Sequence, residues 1–364
     1  MAKTTPLKTI LTTSLATAVA LPAWAEGELS LLTWEGYADD SFIAAFEAET
    51  GCRVSATYVG SGEEIIAKMA AGGGVYDLIT PASDITKLII EAGFVEPIDI
   101  SRIDEWENIY PQFRELDNIQ MDGEYYAMPY TWGAIAFMYR NDAFETPPTS
   151  LAALFDPRNE GRIALWDDKS AIYVAARYNG DTNIYTLSDE QIAAAVETLI
   201  EQRPLVRRYW STAGELVDLY VGGEVDISNT WAGYQSALIA AEGIEVTEFI
   251  PEENAEGWMD SWMIADGSAD NACTYPFLNM QLSEQGQCGV ANVNGYSVAN
   301  PVAARNCMTE EQFVALHQDD PAYLDALLMW QPEPAHGRSG PCHGPSGGGG
   351  HPGICPAAAA SAIP

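Results

Sequence analysis

Glu28-Leu29-Ser30-Leu31-Leu32-Thr33-Trp34-Glu35-Gly36-Tyr37 decides the fold, because an apolar strand pattern runs into a tryptophan and a glycine turn. Helical spacing follows at once in Phe42, Ala45 and Phe46, with Gly51 placed to end the helix. Val54, Ala56 and Tyr58 then alternate as a second strand, and Ser61 with Glu64 reads as a capping box for a helix through Ile65, Lys68 and Met69. Tyr76 to Thr80 reads as a third strand, with Ser83 capping a helix that carries Ile85, Leu88 and Ile89. Strands alternating with helices predict an α/β fold on a mainly parallel sheet with right-handed crossovers. Such sheets bind ligands beyond the carboxyl ends of their strands, where Trp34 to Tyr37 and Thr80 to Asp84 both sit.

A second α/β region follows Met128-Pro129-Tyr130-Thr131-Trp132-Gly133. Ile163 to Trp166 reads as a strand running into Asp167-Asp168, Ser188 and Gln191 open a helix to Gln202, and Val225 to Asn229 delivers Trp231. Trp258 to Ala265 reads as a strand returning to the first domain. Two lobes joined by two crossings enclose a cleft able to close by hinge motion. The expected division is 26–133 plus 258–305 for one lobe and 134–257 plus 306–334 for the other.

Lys3 and Lys8 precede an apolar stretch from Ile10 to Leu21, and Ala23-Trp24-Ala25 supplies an A-x-A cleavage site. Residues 1–25 are expected to be a signal peptide cleaved after Ala25, and that stretch is shorter than the roughly 20 apolar residues of a membrane span. A formal charge of −35 excludes nucleic acid as a partner, since phosphate binding needs the opposite sign. Six cysteines in an exported chain suggest oxidation, with Cys273 and Cys307 as the expected disulfide and Cys52 with Cys288 either a second bridge or buried thiols. The tail 335–364, with eight glycines and five prolines, reads as disordered or as a shifted reading frame. Its Cys342, His343, His351 and Cys355 match no familiar zinc spacing.

Catalytic signatures do not appear. The chain has no G-x-S-x-G elbow, H-E-x-x-H pair or phosphate loop, and only His317 among four histidines lies in its main body. What it offers instead are tryptophans beside carboxylates: Trp34-Glu35, Trp166-Asp167-Asp168, Trp231 and Trp258-Met259-Asp260. Aromatic faces attract organic cations and carboxylates fix ammonium groups, so the combination describes a pocket for an amine. Asp260 alternates in phase with Trp258 and Trp262, and its structural alternative is an ion pair with Arg140 or Lys169. Asp168 can equally cap the helix that follows it. Trp106, Trp210 and Trp262 are assigned to the core.

The order of these segments resembles the periplasmic polyamine-binding proteins, the spermidine/putrescine receptors of ABC importers, from about Leu29 to Gln331. Its landmarks are Leu32 to Tyr37, Tyr76 to Pro81, Met128 to Gly133, Trp231-Ala232-Gly233, Trp258 to Ser261 and Asn294-Gly295-Tyr296. The resemblance implies a two-lobed periplasmic-binding-protein type II (Venus-flytrap) fold, a periplasmic location, an inner-membrane permease partner, a monomer, no cofactor and no enzymatic activity. It implies aromatic walls from Trp34, Tyr37, Trp231, Trp258 and Tyr296, ammonium acceptors at Asp168 and Asp260, and hydrogen bonds from Ser83 and Gln331. Three positions depart from the family pattern. Ala171 stands where an acid is common, the first-loop carboxylate falls on Glu35, and Asp84 stands where some members carry an aromatic. The expected ligand is therefore of the putrescine/spermidine class, the alternatives being another small amine, an ω-amino acid or a secreted enzyme's substrate.

Overall fold

The computed structural model describes residues 27–332 apart from Asp319, so the expected signal peptide 1–25 and the tail 335–364 lie outside the described residues. Strand β1 (Gly27–Trp34) pairs in parallel with β2 (Cys52–Val59), in register from Gly27 opposite Cys52 to Trp34 opposite Val59. It also pairs in parallel with the short β3 (Leu78–Ile79). Leu29, Leu31 and Leu32 of β1 are fully buried, each contributing roughly 1.5–3 kcal/mol of apolar burial.

The connecting helices obey their sequence signals with one exception. Helix α1 (Asp40–Thr50) starts where the Asp39 carboxylate accepts from the Ser41 amide and ends at Gly51, whose φ of 78° only glycine adopts freely. Helix α2 (Gly62–Gly72) begins with Ser61 Oγ accepting from the Glu64 amide, while the Glu64 carboxylate returns to the Gly60 amide. Helix α3 (Thr86–Glu91) has no side-chain cap, contrary to the role expected of Ser83. The turn before α3 docks on the sheet, the Ser83 amide donating to the Met259 carbonyl, and this aims the Ser83 hydroxyl at the Trp330 carbonyl 3.2 Å away.

Two long strands carry the sheet onward. These are β4 (Met128–Arg140) and, much later in the chain, the all-buried Ala255–Ala265. Between them come β5 (Ile163–Trp166), α4 (Ser170–Tyr178), α5 (Asp189–Gln202), β6 (Val206–Trp210) and β7 (Ile227–Trp231); Ala255–Ala265 is therefore β8, and Leu327–Met329 is β9. Both halves of the Ser188–Gln191 capping box form at the start of α5. Among the described residues the sheet has twelve strands, with the main path β2-β1-β3-β8-β4-β7-β5-β6. β4 and β8 lie antiparallel, Glu256 opposite Ile135 and Trp262 opposite Met128, with an irregularity between Asp260 and Ser261. One end of β8 meets β3 and the far end of β4 meets β7, so this antiparallel pair joins the two β-α-β units.

Two hydrophobic clusters of buried residues make up the interior. One hydrophobic cluster, with Phe137, Leu165, Val174, Leu199 and Ile227, belongs to the second unit. A larger one runs from β1 and β2 through the centre of the sheet. The stretch after Cys307 touches both regions: Ser297 Oγ donates to the Leu316 carbonyl, and β9 pairs with the start of β8.

The disulfides correct the expected pairing. Cys273 bonds to Cys52, with Cα atoms 5.9 Å apart, and Cys307 bonds to Cys288, with Cα atoms 6.3 Å apart. Cys273 precedes a helix, Thr274–Leu282, that contacts α1 at the edge where β2 begins, and Cys52 opens β2. Cys288 and Cys307 face one another because the helices Glu284–Asn294 and Pro301–Cys307 pack together.

Candidate functional site

Four strands of this sheet end on a tryptophan: β1 on Trp34, β5 on Trp166, β6 on Trp210 and β7 on Trp231. Because β5 pairs in parallel with both β6 and β7, their last residues share one rim of the sheet. The Trp231 ring stands at the centre. It makes edge contacts with Trp34 at 6.0 Å, Trp166 at 5.4 Å and Trp210 at 5.5 Å between ring centroids. Trp166 stacks on Trp210 at 5.7 Å on one face and on Trp330 at 6.4 Å. Trp258 meets Tyr296 edge-on at 4.7 Å, and Tyr37 meets Tyr296 at 6.2 Å.

These rings enclose a cavity of about 330 Å³, including its mouth, lined by Trp34, Tyr37, Ala82, Ile135, Trp166, Trp231, Trp258, Asp260, Tyr296 and Trp330. Two glycines make the walls possible. Gly36, with φ of 88°, turns the chain so that Tyr37 faces inward, and a Cβ there would stand 2.3 Å from Asn294 Oδ1. Gly133 lets Trp258 lie against β4, since a Cβ at that position would fall 2.7 Å from Trp258 Cζ2.

Among the described residues Asp260 is the one carboxylate in this lining. It is buried and accepts a hydrogen bond of 2.5 Å from the Tyr37 hydroxyl, which lies 2.6 Å from Thr131 Oγ1. Among the described residues neither expected cation reaches it: Arg140 pairs with Asp142 and Asp226, and Lys169 with Asp84 and Glu63. Burial without a counter-ion pushes the Asp260 carboxyl up to about 8, against the lowering effect of Tyr37, and the charge of Asp84 adds to the rise. The Tyr37 and Tyr296 phenols are pushed well above their ordinary value, first by burial and then by the Asp260 charge. An ammonium ion entering this cavity meets aromatic faces and a buried carboxylate that has no cation beside it among the described residues.

The structure thus gathers Trp34, Tyr37, Trp231, Trp258, Asp260 and Tyr296 around one cavity. It places the other expected residues elsewhere. Glu35 is exposed, with its carbonyl accepting from Asn294 Nδ2, and Gln331 is exposed at the end of the described chain. Ser83 lies behind the wall, bonded to the Trp330 carbonyl. Asp84 forms an ion pair of 2.5 Å with Lys169 Nζ, and Asp168 Oδ1 accepts from the Ser170 amide at the start of α4. Desolvation and then the Glu63 charge push Asp168 up to about 8 as well.

Trp166 and Trp330 were not among the expected contacts. Trp166 carried a signal, the same strand-end position as Trp34 and Trp231. Trp330 carried none, because a three-residue strand has too little pattern to show which side chain faces inward. Trp106, Trp210 and Trp262 stay out of the lining, Trp262 continuing the row of Trp258 and Asp260 toward Tyr130 and Phe277. No group of described His, Cys, Asp or Glu side chains could hold a metal ion, and no described helix is long and apolar enough to cross a membrane.

Comparison with known proteins adds to this geometry. A family model described as bacterial extracellular solute-binding protein matches residues 41–322. The spermidine/putrescine-binding periplasmic protein of Salmonella typhimurium is 28% identical over 315 residues, covering 83% of this chain and 86% of that one. A putrescine-binding periplasmic protein of Escherichia coli is 25% identical over 306 residues, covering 79% and 82%. Among solved structures, a spermidine/putrescine ABC transporter protein from Listeria monocytogenes superposes with a TM-score of 0.75 at 23% identity, covering 85% of this chain and 94% of that one. The fold is that of the two-lobed periplasmic binding proteins.

Proposed function

The chain belongs to the bacterial extracellular solute-binding proteins, and on that premise we propose that it captures an amine of the putrescine/spermidine class for an ABC importer. This family binds solutes and is not an enzyme family; its members in ABC transporters carry small molecules to membrane permeases. The observation that carries the amine assignment is Asp260, a buried carboxylate with no cation among the described residues, inside a box of tryptophan and tyrosine rings. Ring faces contribute about 0.5–2 kcal/mol per cation contact, the more so when water is excluded. The relatives named for putrescine and spermidine support the same class.

In this reading Trp34, Trp231, Trp258 and Tyr296 sandwich the methylene chain while Asp260 receives an ammonium group. Ionisation of Asp260 follows ligand entry, because the incoming positive charge offsets the burial that holds the carboxyl up. The lobes hinge where β4 and β8 cross, and closure desolvates the contacts. Export through a signal peptide cleaved after Ala25 and a monomeric state belong to the same proposal. The rival ω-amino acid needs an arginine or a helix N-terminus to receive its carboxylate, and no described arginine lines the cavity.

A thermal-shift panel of putrescine, cadaverine, spermidine, spermine and γ-aminobutyrate tests the proposal, since a ligand that binds only the folded state raises the melting temperature. At least one of the four polyamines should raise it by several degrees at millimolar concentration. A shift with γ-aminobutyrate alone would reject the polyamine class, and no shift with any of the five would reject the amine site.

A further inference from the structure

Thr131 lies outside the cavity lining, yet the sheet fixes it beside the ammonium acceptor. On β4 it is the cross-strand partner of Asp260, and on its other side it pairs with Val298. Directly opposed residues of two antiparallel strands send their side chains to one face. Thr131 is fully buried, and as a β-branched residue it has a stiff χ1, which gives its hydroxyl a defined place. The Tyr37 hydroxyl bridges the pair, 2.6 Å from Thr131 Oγ1 and 2.5 Å from Asp260 Oδ2.

Counting hydrogens sets the direction of this chain. A phenol carries one hydrogen, and an ionised carboxylate only accepts. With Asp260 ionised, the Tyr37 hydrogen therefore goes to Asp260, and the Tyr37 oxygen takes its own hydrogen bond from Thr131. Each bond in such a chain strengthens the next. Burial raises the Tyr37 phenol, and the Thr131 bond works the other way, in the sense expected of a contact that makes the phenol hydrogen easier to give. The other titratable groups acting on this acid do not help it ionise: Tyr296 is a buried phenol, and Asp84 adds a like charge.

We propose that Thr131 is a positioning residue for amine capture: by donating to the Tyr37 hydroxyl it keeps that hydroxyl turned to Asp260 and makes the negative carboxylate easier to form when a ligand enters. The inference rests on the amine reading of the cavity given above. Thr131 acts through Tyr37 and not by contact with the ligand. Removing its hydroxyl therefore costs affinity at a pH where Asp260 must still give up a proton, and costs little where it already has.

Isothermal titration with putrescine from pH 6 to pH 9 tests this on the unaltered protein, Thr131→Val and Thr131→Ser. Thr131→Val should lower affinity about three- to tenfold between pH 6 and 7, the mark of a carboxyl held roughly half a unit to one unit higher, and less than about twofold at pH 9. Thr131→Ser keeps the hydroxyl and should follow the unaltered profile. In a Tyr37→Phe background, where the chain is already broken, Thr131→Val should add less than about twofold at any pH. The proposal is overturned by a loss of equal size at every pH, by an unmoved profile, by a Thr131→Ser profile that matches Thr131→Val, or by a full Thr131→Val effect in the Tyr37→Phe background. Should Thr131→Val fail to fold, the hydroxyl proton resonance of Thr131 in the unaltered protein decides: it should shift when putrescine is added at pH 7, and an unmoved signal overturns the proposal. Absence of putrescine binding by the unaltered protein at any pH would instead overturn the amine reading itself, and the Thr131 assignment with it.

Discussion

Glu256 and Asp260 lie four residues apart on β8, both buried, in opposite surroundings. Glu256 Oε1 accepts from Arg177 and Ser170 at 3.0 Å each and Oε2 accepts from the Trp330 indole, and the Arg177 side chain is only 1% exposed. Asp260 has a tyrosine hydroxyl and a ring-lined space. Burial raises both carboxyls, but at Glu256 the Arg177 charge works against the rise, whereas at Asp260 the nearby charge is the like charge of Asp84. A buried acid with its own cation holds a structure together. A buried acid without one, facing a ring-lined cavity, is placed to receive a cation that arrives from outside.

The comparison is broken most severely by removing the structural acid. Glu256→Ala leaves the Arg177 guanidinium buried without its partner and should cost about 3–5 kcal/mol of stability, read as a large drop in urea midpoint. Asp260→Asn should do the reverse, leaving the ligand-free protein at least as stable while weakening amine binding by about 2–5 kcal/mol. If both variants lose stability alike, Asp260 is a structural acid too. Gly133→Ala sharpens the contrast without touching a charge. Its Cβ displaces the Trp258 ring, and overpacking of about 1–3 kcal/mol should appear as lost affinity and a modestly lower melting temperature.

A pH dependence follows from the same carboxyl. With the free Asp260 carboxyl raised to about 8, amine binding below that pH must expel a proton. Affinity should therefore climb as pH rises from 6 to 8, by at most about tenfold per unit, then level off until the amine itself deprotonates near pH 10. Titrations in buffers of different ionisation heat should register the released proton. Stability of the ligand-free protein runs the other way. Between the unfolded carboxyl value near 4 and the folded value of about 8 the native state holds more protons, so stability falls as pH rises through that window and is level above it. Asp260→Asn should flatten that slope in part, because Asp168 is raised for a similar reason.

Much of this site was legible in the sequence because strand ends are. Trp34 and Trp231 each close a strand after an apolar run, and the antiparallel pair β4 and β8 turns their two β-α-β units so that these two strand ends face one another. Trp258 and Asp260 share a face through the two-residue period of β8. What was not legible depends on long-range partners. Nothing in the chain couples Arg177 to Glu256 across 79 positions, or Lys169 to Asp84. The disulfides failed to show for the same reason, since cysteine spacing carries no connectivity and helix packing decided the pairs. Ser83 looked like a helix cap because its local pattern fits one, and the docking of its turn on β8 sent the hydroxyl to Trp330 instead.

The central claim is that an amine sits against Asp260 among the rings of Trp34, Trp231, Trp258 and Tyr296. A crystal structure of the protein grown with putrescine tests it most directly. The account predicts one ligand nitrogen within about 3 Å of an Asp260 carboxylate oxygen, with the methylene chain along the ring faces. A cavity that excludes the ligand at saturating concentration, or a ligand whose nitrogens turn away from Asp260, would contradict it.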